Sequence, residues 1–313
     1  MRPFLNTIGY LVLVFPGGAL LAPLAWISVH GNPAPLSFLN EHDDFHRFVT
    51  RCIMILALGG LWFLLKINSM NSWKAVGMGP LLGRRSHLYW SFAAGLGSFI
   101  ILATIGATTT SMAWETAKPI TEWLHHFKNA LLAMVLVSLI EELLFRGVLF
   151  GGMRHSLNRR WAAALASVVF SLVHFLNAKQ PNPDSISLAT GLTFLPSMLH
   201  GPAGDPFWAA RFINLFLAGM VLCGLYQNSG NLYSSMAVHG GWILGGKTAV
   251  MATQYSGKRE LFTPLQSALW GHNEFIEGWA MTPILLGLVI WVFVYQRDES
   301  DPILRGHDNA FIN

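Results

Sequence analysis

The chain has 313 residues, of which 53% are hydrophobic and only 12% are charged. Its mean hydropathy is +0.45, whereas soluble domains usually carry about 25% charged residues. This composition excludes an ordinary soluble enzyme and predicts an all-α, polytopic membrane protein, since a spanning helix satisfies its own backbone hydrogen bonds. The sequence has no basic stripe with interleaved aromatic residues that would indicate nucleic-acid binding. The net charge of +4 is therefore attributed to basic cytoplasmic loops.

About 20 apolar residues cross a bilayer as a helix, and eight apolar segments of roughly this length occur. The predicted spans are Ile8–Val29, Cys52–Ile67, Tyr89–Ala107, Phe127–Phe150, Trp161–Ala178, Phe212–Gln227, Asn231–Ala252 and Gly278–Tyr295. We expect about eight transmembrane helices in one bundle, forming a single membrane domain over residues 1–313. The first span is predicted to be a retained anchor, although Ala22–Ala25 near its end also fits the cleavage region of a signal peptide.

Small residues within the spans bear on helix packing. Ala93 and Gly97 share a face of the third span and are predicted to allow close approach of another helix. Cys52 and Cys223 each lie inside an apolar run. They predict neither a disulfide framework nor a zinc ribbon, and are interpreted as small buried hydrophobic residues.

The connections between spans set the expected orientation. Eight spans place both termini on one side, and short basic loops after the second and fourth spans predict that this side is cytoplasmic, in the plasma membrane. The histidines and aspartates of Asn40–Arg51 are interpreted as an interfacial helix start and not as a metal site. The long connection Lys179–Ala210 is predicted either to associate with the membrane through Ile186–Leu199 or to form a lid over a substrate.

The fourth span carries three charged side chains, Glu141, Glu142 and Arg146. A charge at membrane depth costs about 2.5–3.5 kcal/mol on insertion scales, so these residues are candidates for function. Glu142 and Arg146 are four residues apart and are predicted to pair on one helix face. Glu141 points about 100° away and remains available as a general base.

Two histidines, His174 and His239, lie inside predicted spans. One imidazole beside a carboxylate can orient a water molecule, and a second can donate to the oxyanion that forms on an attacked carbonyl. The residues therefore permit water-mediated amide hydrolysis without a covalent intermediate. They also fit a structural lock between helices, a proton relay in a transporter, or a zinc site, although no H-E-x-x-H motif is present.

In their order along the chain, these residues resemble the CAAX protease and bacteriocin-processing family, intramembrane glutamic endopeptidases that include the CAAX prenyl endopeptidase. The family motifs are E-E-x-x-x-R, F-x-x-x-H and a final histidine motif. Phe216–Tyr226 resembles the glycine-containing helix that precedes the final motif in this family. The matching residues are Glu141, Glu142, Arg146, Phe170, His174 and His239. The region from Phe127 to Gly246 is accordingly predicted to be a catalytic core of four central helices.

The resemblance implies a role for each matching residue. Glu141 would activate a water molecule with the help of His174, and His239 would help to stabilise the oxyanion. Glu142 would support this catalytic set, with Arg146 and Phe170 as orienting residues. No cofactor and no metal is implied.

The last motif of the family departs at one position in this chain. The family usually has H-x-x-x-N, and Ile243 stands where the asparagine is expected. An isoleucine side chain cannot donate a hydrogen bond to an oxyanion. Another donor must replace it, or activity is reduced, or this member binds without catalysis.

The leading prediction is an intramembrane endopeptidase that hydrolyses a peptide bond by glutamate-activated water. Its expected partners are membrane lipid and a membrane-associated protein or peptide substrate, and not nucleic acid. The alternatives are a non-catalytic membrane scaffold or immunity protein and a proton-coupled transporter. The enzyme hypothesis predicts that Glu141 faces His174, with His239 across a small polar cavity.

Overall fold

The computed structural model of the chain is helical in each of its named elements, which confirms the predicted all-α class. The residues that it describes are 2–31, 44–79, 85–109, 114, 117–154, 156–176, 185–198, 206–253, 263–271 and 274–295. In chain order their helices are α1 (Arg2–Gly31), α2 (Phe45–Ile67), α3 (Arg85–Thr108), α4 (Ile120–Glu141), α5 (Arg159–Val173), α6 (Thr190–Met198), α7 (Trp208–Ser229), α8 (Tyr233–Ala252), α9 (Pro264–Trp270) and α10 (Met281–Ile290). The helix α4 continues without a break as a π-helical segment, Glu142–Phe150, and a final turn, Gly151–Met153.

Each of the eight predicted spans overlaps one of these helices, and α6 and α9 are additional short elements. Four helices, α1, α2, α3 and α7, are long and apolar enough to cross a membrane, which supports the polytopic membrane class. The helix α5 ends at Val173, before the predicted end of the fifth span. Its 15 residues extend only about 22 Å, less than the roughly 30 Å of a hydrocarbon core.

The chain divides into two compact units, and the prediction of a single domain stays a prediction. The first unit comprises Met1–Asn71 and Leu172–Asp205, and the second comprises Ser72–Ser171 and Pro206–Asn313. In the first unit, α1 and α2 pack closely because Gly18 has no side chain. A Cβ atom at this position would lie 2.8 Å from the backbone of Ile53.

The connection Lys179–Ala210 contributes α6 to the first unit. Phe194 of α6 is buried, and its ring lies 5.2 Å from the ring of Phe45 in an edge-to-face arrangement. Gly191 lets α6 approach the carbonyl of Ala19 on α1. The segment is therefore a packed helix, while its predicted role as a lid or membrane-associated element stays a prediction.

The region before α2 is described only in part. The helix begins at Phe45, within the predicted interfacial segment Asn40–Arg51. Asp44 precedes it and accepts a hydrogen bond from Arg47 at 3.0 Å. Residues 40–43 of that segment lie outside the described residues.

The contact between α3 and α8 uses a different helix face from the one predicted. Ala93 is exposed, and a Cβ atom on Gly97 would meet nothing within 4 Å, so the predicted approach through these two residues is wrong. The contact uses Gly95, where a Cβ atom would clash with the carbonyl oxygen of Val238 on α8. Gly95 lies two residues from either predicted position, and therefore on a different side of the helix.

Helix α7 forms the centre of the second unit. Its buried Val221 and Leu222 belong to an apolar cluster with residues of α3, α8 and α10. The buried amide of Asn214 donates to the carbonyls of Ile276 and Gly278 at 2.8 and 2.9 Å. These bonds hold the segment before α10 against α7 and leave α4, α5 and α8 to build the site.

Candidate active site

The predicted charged motif lies where α4 changes its helical geometry. Glu141 is the last residue of the α-helical part, and Glu142 begins the nine-residue π-helical segment. All nine residues of this segment are buried. Such widened turns occur frequently at functional sites, and here the change places both charges of the Glu142–Arg146 pair in the interior.

Glu142 and Arg146 form an ion pair in the interior of the second unit. The distance between Arg146 Nη1 and Glu142 Oε1 is 2.9 Å, and the two side chains are 1% and 0% exposed. The predicted pairing is therefore confirmed. The guanidinium carbon of Arg146 also lies 4.4 Å from the centre of the Phe170 ring on α5, a cation–π contact that is favourable when desolvated.

His239 joins this ion pair from α8. Its Nδ1 atom lies 2.8 Å from the same Glu142 Oε1 atom. A carboxylate can only accept, so Nδ1 carries the hydrogen and donates it, which fixes the orientation of the ring. The opposite nitrogen, Nε2, lies 3.8 Å from Glu141 Oε2. The histidine thus stands between the two carboxylates.

Glu141 differs from the other three residues in its exposure. Its side chain is 24% exposed, whereas that of His239 is 9% exposed and that of Glu142 is fully buried. Water and a substrate can therefore reach Glu141 more readily than the Glu142–Arg146 pair. The carboxylate of Glu141 lies beside the imidazole of His239, whereas the enzyme hypothesis predicts that it faces His174.

Two glycines after His239 explain why α8 can deliver the imidazole so deeply. Gly240 faces α4, where a Cβ atom would lie 2.9 Å from the Met134 side chain. Gly241 faces α3, where a Cβ atom would lie 2.6 Å from the carbonyl oxygen of Phe92. Helix α8 therefore fits between α3 and α4, with His239 at the level of the two glutamates.

Two further polar side chains next to the ion pair were not predicted from the sequence. Ser235 is fully buried, interacts with Glu142, and stands one turn before His239, a spacing that could have indicated it. Cys223 on α7 interacts electrostatically with Arg146 and Glu142. The interpretation of Cys223 as a small buried residue is correct about its burial, but its apolar sequence context gave no signal of its charged neighbours.

His174 and Ile243 complete the predicted set. His174 lies in a turn after the end of α5 and is partly exposed. It is grouped with the first compact unit, so its predicted approach to Glu141 stays a prediction. Ile243 is partly exposed one turn after His239 and offers no hydrogen-bond donor. Within the described residues, no group of three or more His, Cys, Asp or Glu side chains is arranged to hold a metal ion.

Fold and site together define an α-helical membrane protein with a glutamate–histidine–glutamate arrangement buried among its helices. A family model described as Type II CAAX prenyl endopeptidase Rce1-like matches residues 123–244. This region contains all six predicted site residues, and the match confirms the resemblance inferred from the motifs. Comparison with curated proteins and with solved structures gives no significant match.

Proposed function

We propose that the protein is an intramembrane endopeptidase in which Glu141 activates a water molecule to hydrolyse a peptide bond. The substrate would be a membrane-associated protein or peptide. The observation that carries this proposal is the position of His239, with Nδ1 at 2.8 Å from Glu142 and Nε2 at 3.8 Å from Glu141. The match of residues 123–244 to a family model of CAAX prenyl endopeptidases supports the choice of a peptide bond.

The proposed reaction requires a hydrogen on both nitrogens of His239. The Nδ1–H donates to Glu142, and the Nε2–H would donate to the oxyanion.

The reaction then requires one water molecule and no covalent intermediate. Glu141 takes a proton from the water, and the resulting hydroxide attacks the carbonyl carbon of the scissile bond. The oxyanion accepts a hydrogen bond from His239 Nε2. When the C–N bond breaks, the proton held by Glu141 passes to the leaving nitrogen, and Glu141 returns to its ionised form.

Isotope labelling in H₂¹⁸O tests whether the protein hydrolyses a peptide bond, and the variant Glu141→Gln tests the role of Glu141. Purified protein in detergent is incubated with a CAAX peptide, with and without a prenyl group on its cysteine. The masses of the products are then measured by mass spectrometry. We expect one ¹⁸O atom in the new C-terminal carboxylate from a single turnover. Comparing the cleavage of the prenylated peptide with that of the unprenylated peptide reveals whether the site requires a lipid on its substrate.

A non-catalytic scaffold is the second candidate function, and Ile243 is the observation that favours it. Without a donor at this position, the oxyanion would rely on His239 or on a donor supplied by another group. A scaffold would bind the peptide without producing a labelled product. The absence of cleavage together with retained peptide binding would therefore favour the scaffold over the protease.

A further inference from the structure

Among the residues that the structure describes, one end of the second unit carries basic and tryptophan side chains without acidic ones. Residues 72–114 and 143–171 contain no aspartate or glutamate. The basic residues of these stretches that the structure places at this end are Lys74, Arg154, Arg159 and Arg160. The two stretches that supply these basic residues therefore contain no negatively charged side chain to balance them.

The turn over residues 72–79 is fixed at this end by its backbone. Gly77 has a φ of +82° and lies against the ring of Tyr226, where a Cβ atom would be 2.5 Å from a ring carbon. The amide of Leu232 donates to the carbonyl of Gly77 at 2.9 Å. This anchoring places Trp73, which is 66% exposed, and the exposed Lys74 next to the ends of α4 and α7.

Arg154 stands at the end of α4 on the same side. Its side chain is 7% exposed, and its guanidinium carbon lies 5.6 Å from the centre of the Phe150 ring, which in turn packs against Tyr226. Burial and the neighbouring charge of Arg159 lower the pKa of Arg154 to about 10. Arg154 therefore stays protonated at neutral pH, beside a second positive charge.

Arg159 and Arg160 occupy the first turn of α5. Asn158 caps this helix, since its side-chain oxygen accepts a hydrogen bond from the amide of Trp161 at 3.0 Å. The N-terminus of a helix carries a partial positive charge that disfavours basic side chains and favours an anion. Trp161, which is 65% exposed, follows directly and suits the headgroup level of a bilayer.

We propose that this basic end, defined by Lys74, Arg154, Arg159 and Arg160, binds the headgroups of anionic phospholipids. Arginine matches a phosphate with two parallel hydrogen bonds. Exposed tryptophans at the same end would lie among the headgroups, so the phosphate of a lipid is presented at the correct depth. Basic clusters beside a spanning helix attract anionic leaflets in the same way. This property is independent of whether the site hydrolyses peptides.

Lipid binding to the full-length protein in neutral detergent tests this proposal. The affinity for phosphatidylglycerol, measured by native mass spectrometry, should fall about 30-fold in the double variant Arg159→Gln/Arg160→Gln. The control is Lys128→Gln/Lys247→Gln, which removes the same charge from exposed positions of α4 and α8 outside the basic end. We expect this control to bind like the wild type.

Two comparisons identify the ligand. Phosphatidylcholine should bind much more weakly than phosphatidylglycerol, and millimolar inorganic phosphate should not displace the lipid. Equal affinity of the wild type and Arg159→Gln/Arg160→Gln would overturn the proposal. So would an equal loss in the lysine control, equal binding of the two lipids, or displacement by free phosphate.

Discussion

At the scale of single residues, one oxygen atom organises the site. Glu142 Oε1 accepts hydrogen bonds from both Arg146 and His239, at 2.9 and 2.8 Å. The guanidinium and the imidazole are therefore held on a shared acceptor, and the ring of Phe170 closes over Arg146. These charged and polar groups have lost their hydration, so the interactions among them must compensate for the free energy lost on removal from water.

Glu142→Gln should consequently destabilise the protein. The substitution preserves the shape of the side chain but leaves Arg146 buried without its countercharge, which typically costs about 3–5 kcal/mol. We expect a clearly lower thermal unfolding midpoint in detergent. The control is Glu122→Gln at the exposed start of α4, which should leave the midpoint nearly unchanged. Equal midpoints for the two variants would contradict the assigned importance of the buried pair.

At the scale of helices, the site depends on how closely α8 approaches its neighbours. Gly95 on α3 lies directly against the carbonyl of Val238, the residue before His239. Gly241 on α8 faces α3 again, nearly one turn after Val238. The absence of side chains at these positions sets the depth of α8, and so the distance between His239 and the glutamates.

The substitutions Gly95→Ala and Gly97→Ala form a matched pair on one helix. At Gly95 the added methyl group must push α8 away, and overpacking of this kind costs about 1–3 kcal/mol. At Gly97 it meets nothing within 4 Å, and alanine is the better helix former. We expect Gly95→Ala to lower both the unfolding midpoint and any peptidase activity, and Gly97→Ala to lower neither. Similar behaviour of the two variants would show that the close contact does not position His239.

At the scale of the whole molecule, local periodicity accounts for what the sequence could predict. Apolar runs of bilayer length predicted eight helices, and the spacing of Glu142 and Arg146 predicted their ion pair. The contact of His239 with Glu142 joins residues 97 positions apart. Their positions inside predicted spans and the family resemblance indicated a shared site, but neither indicated this particular contact. The partner of α3 was predicted on the wrong face because Ala93 and Gly97 are as small as Gly95. Nothing in the local pattern predicted the π-helical segment or the charged neighbours of Cys223.

The family match also divides the chain. It covers residues 123–244, which include most of α4, all of α5, α6 and α7, and most of α8. The helices α1 and α2 of the first unit lie outside it, as does α10. The chemistry is therefore attributed to the matched region, and the remaining helices have packing roles that the structure describes within each unit.

The central claim is that Glu141 activates the water, and Glu141→Gln tests it most directly. Glutamine keeps the size of the side chain but cannot accept the proton, while the buried Glu142–Arg146 pair is left intact. The rate of peptide hydrolysis should fall at least about 100-fold, at an unchanged unfolding midpoint. Hydrolysis by Glu141→Gln at the rate of the wild type would contradict the account.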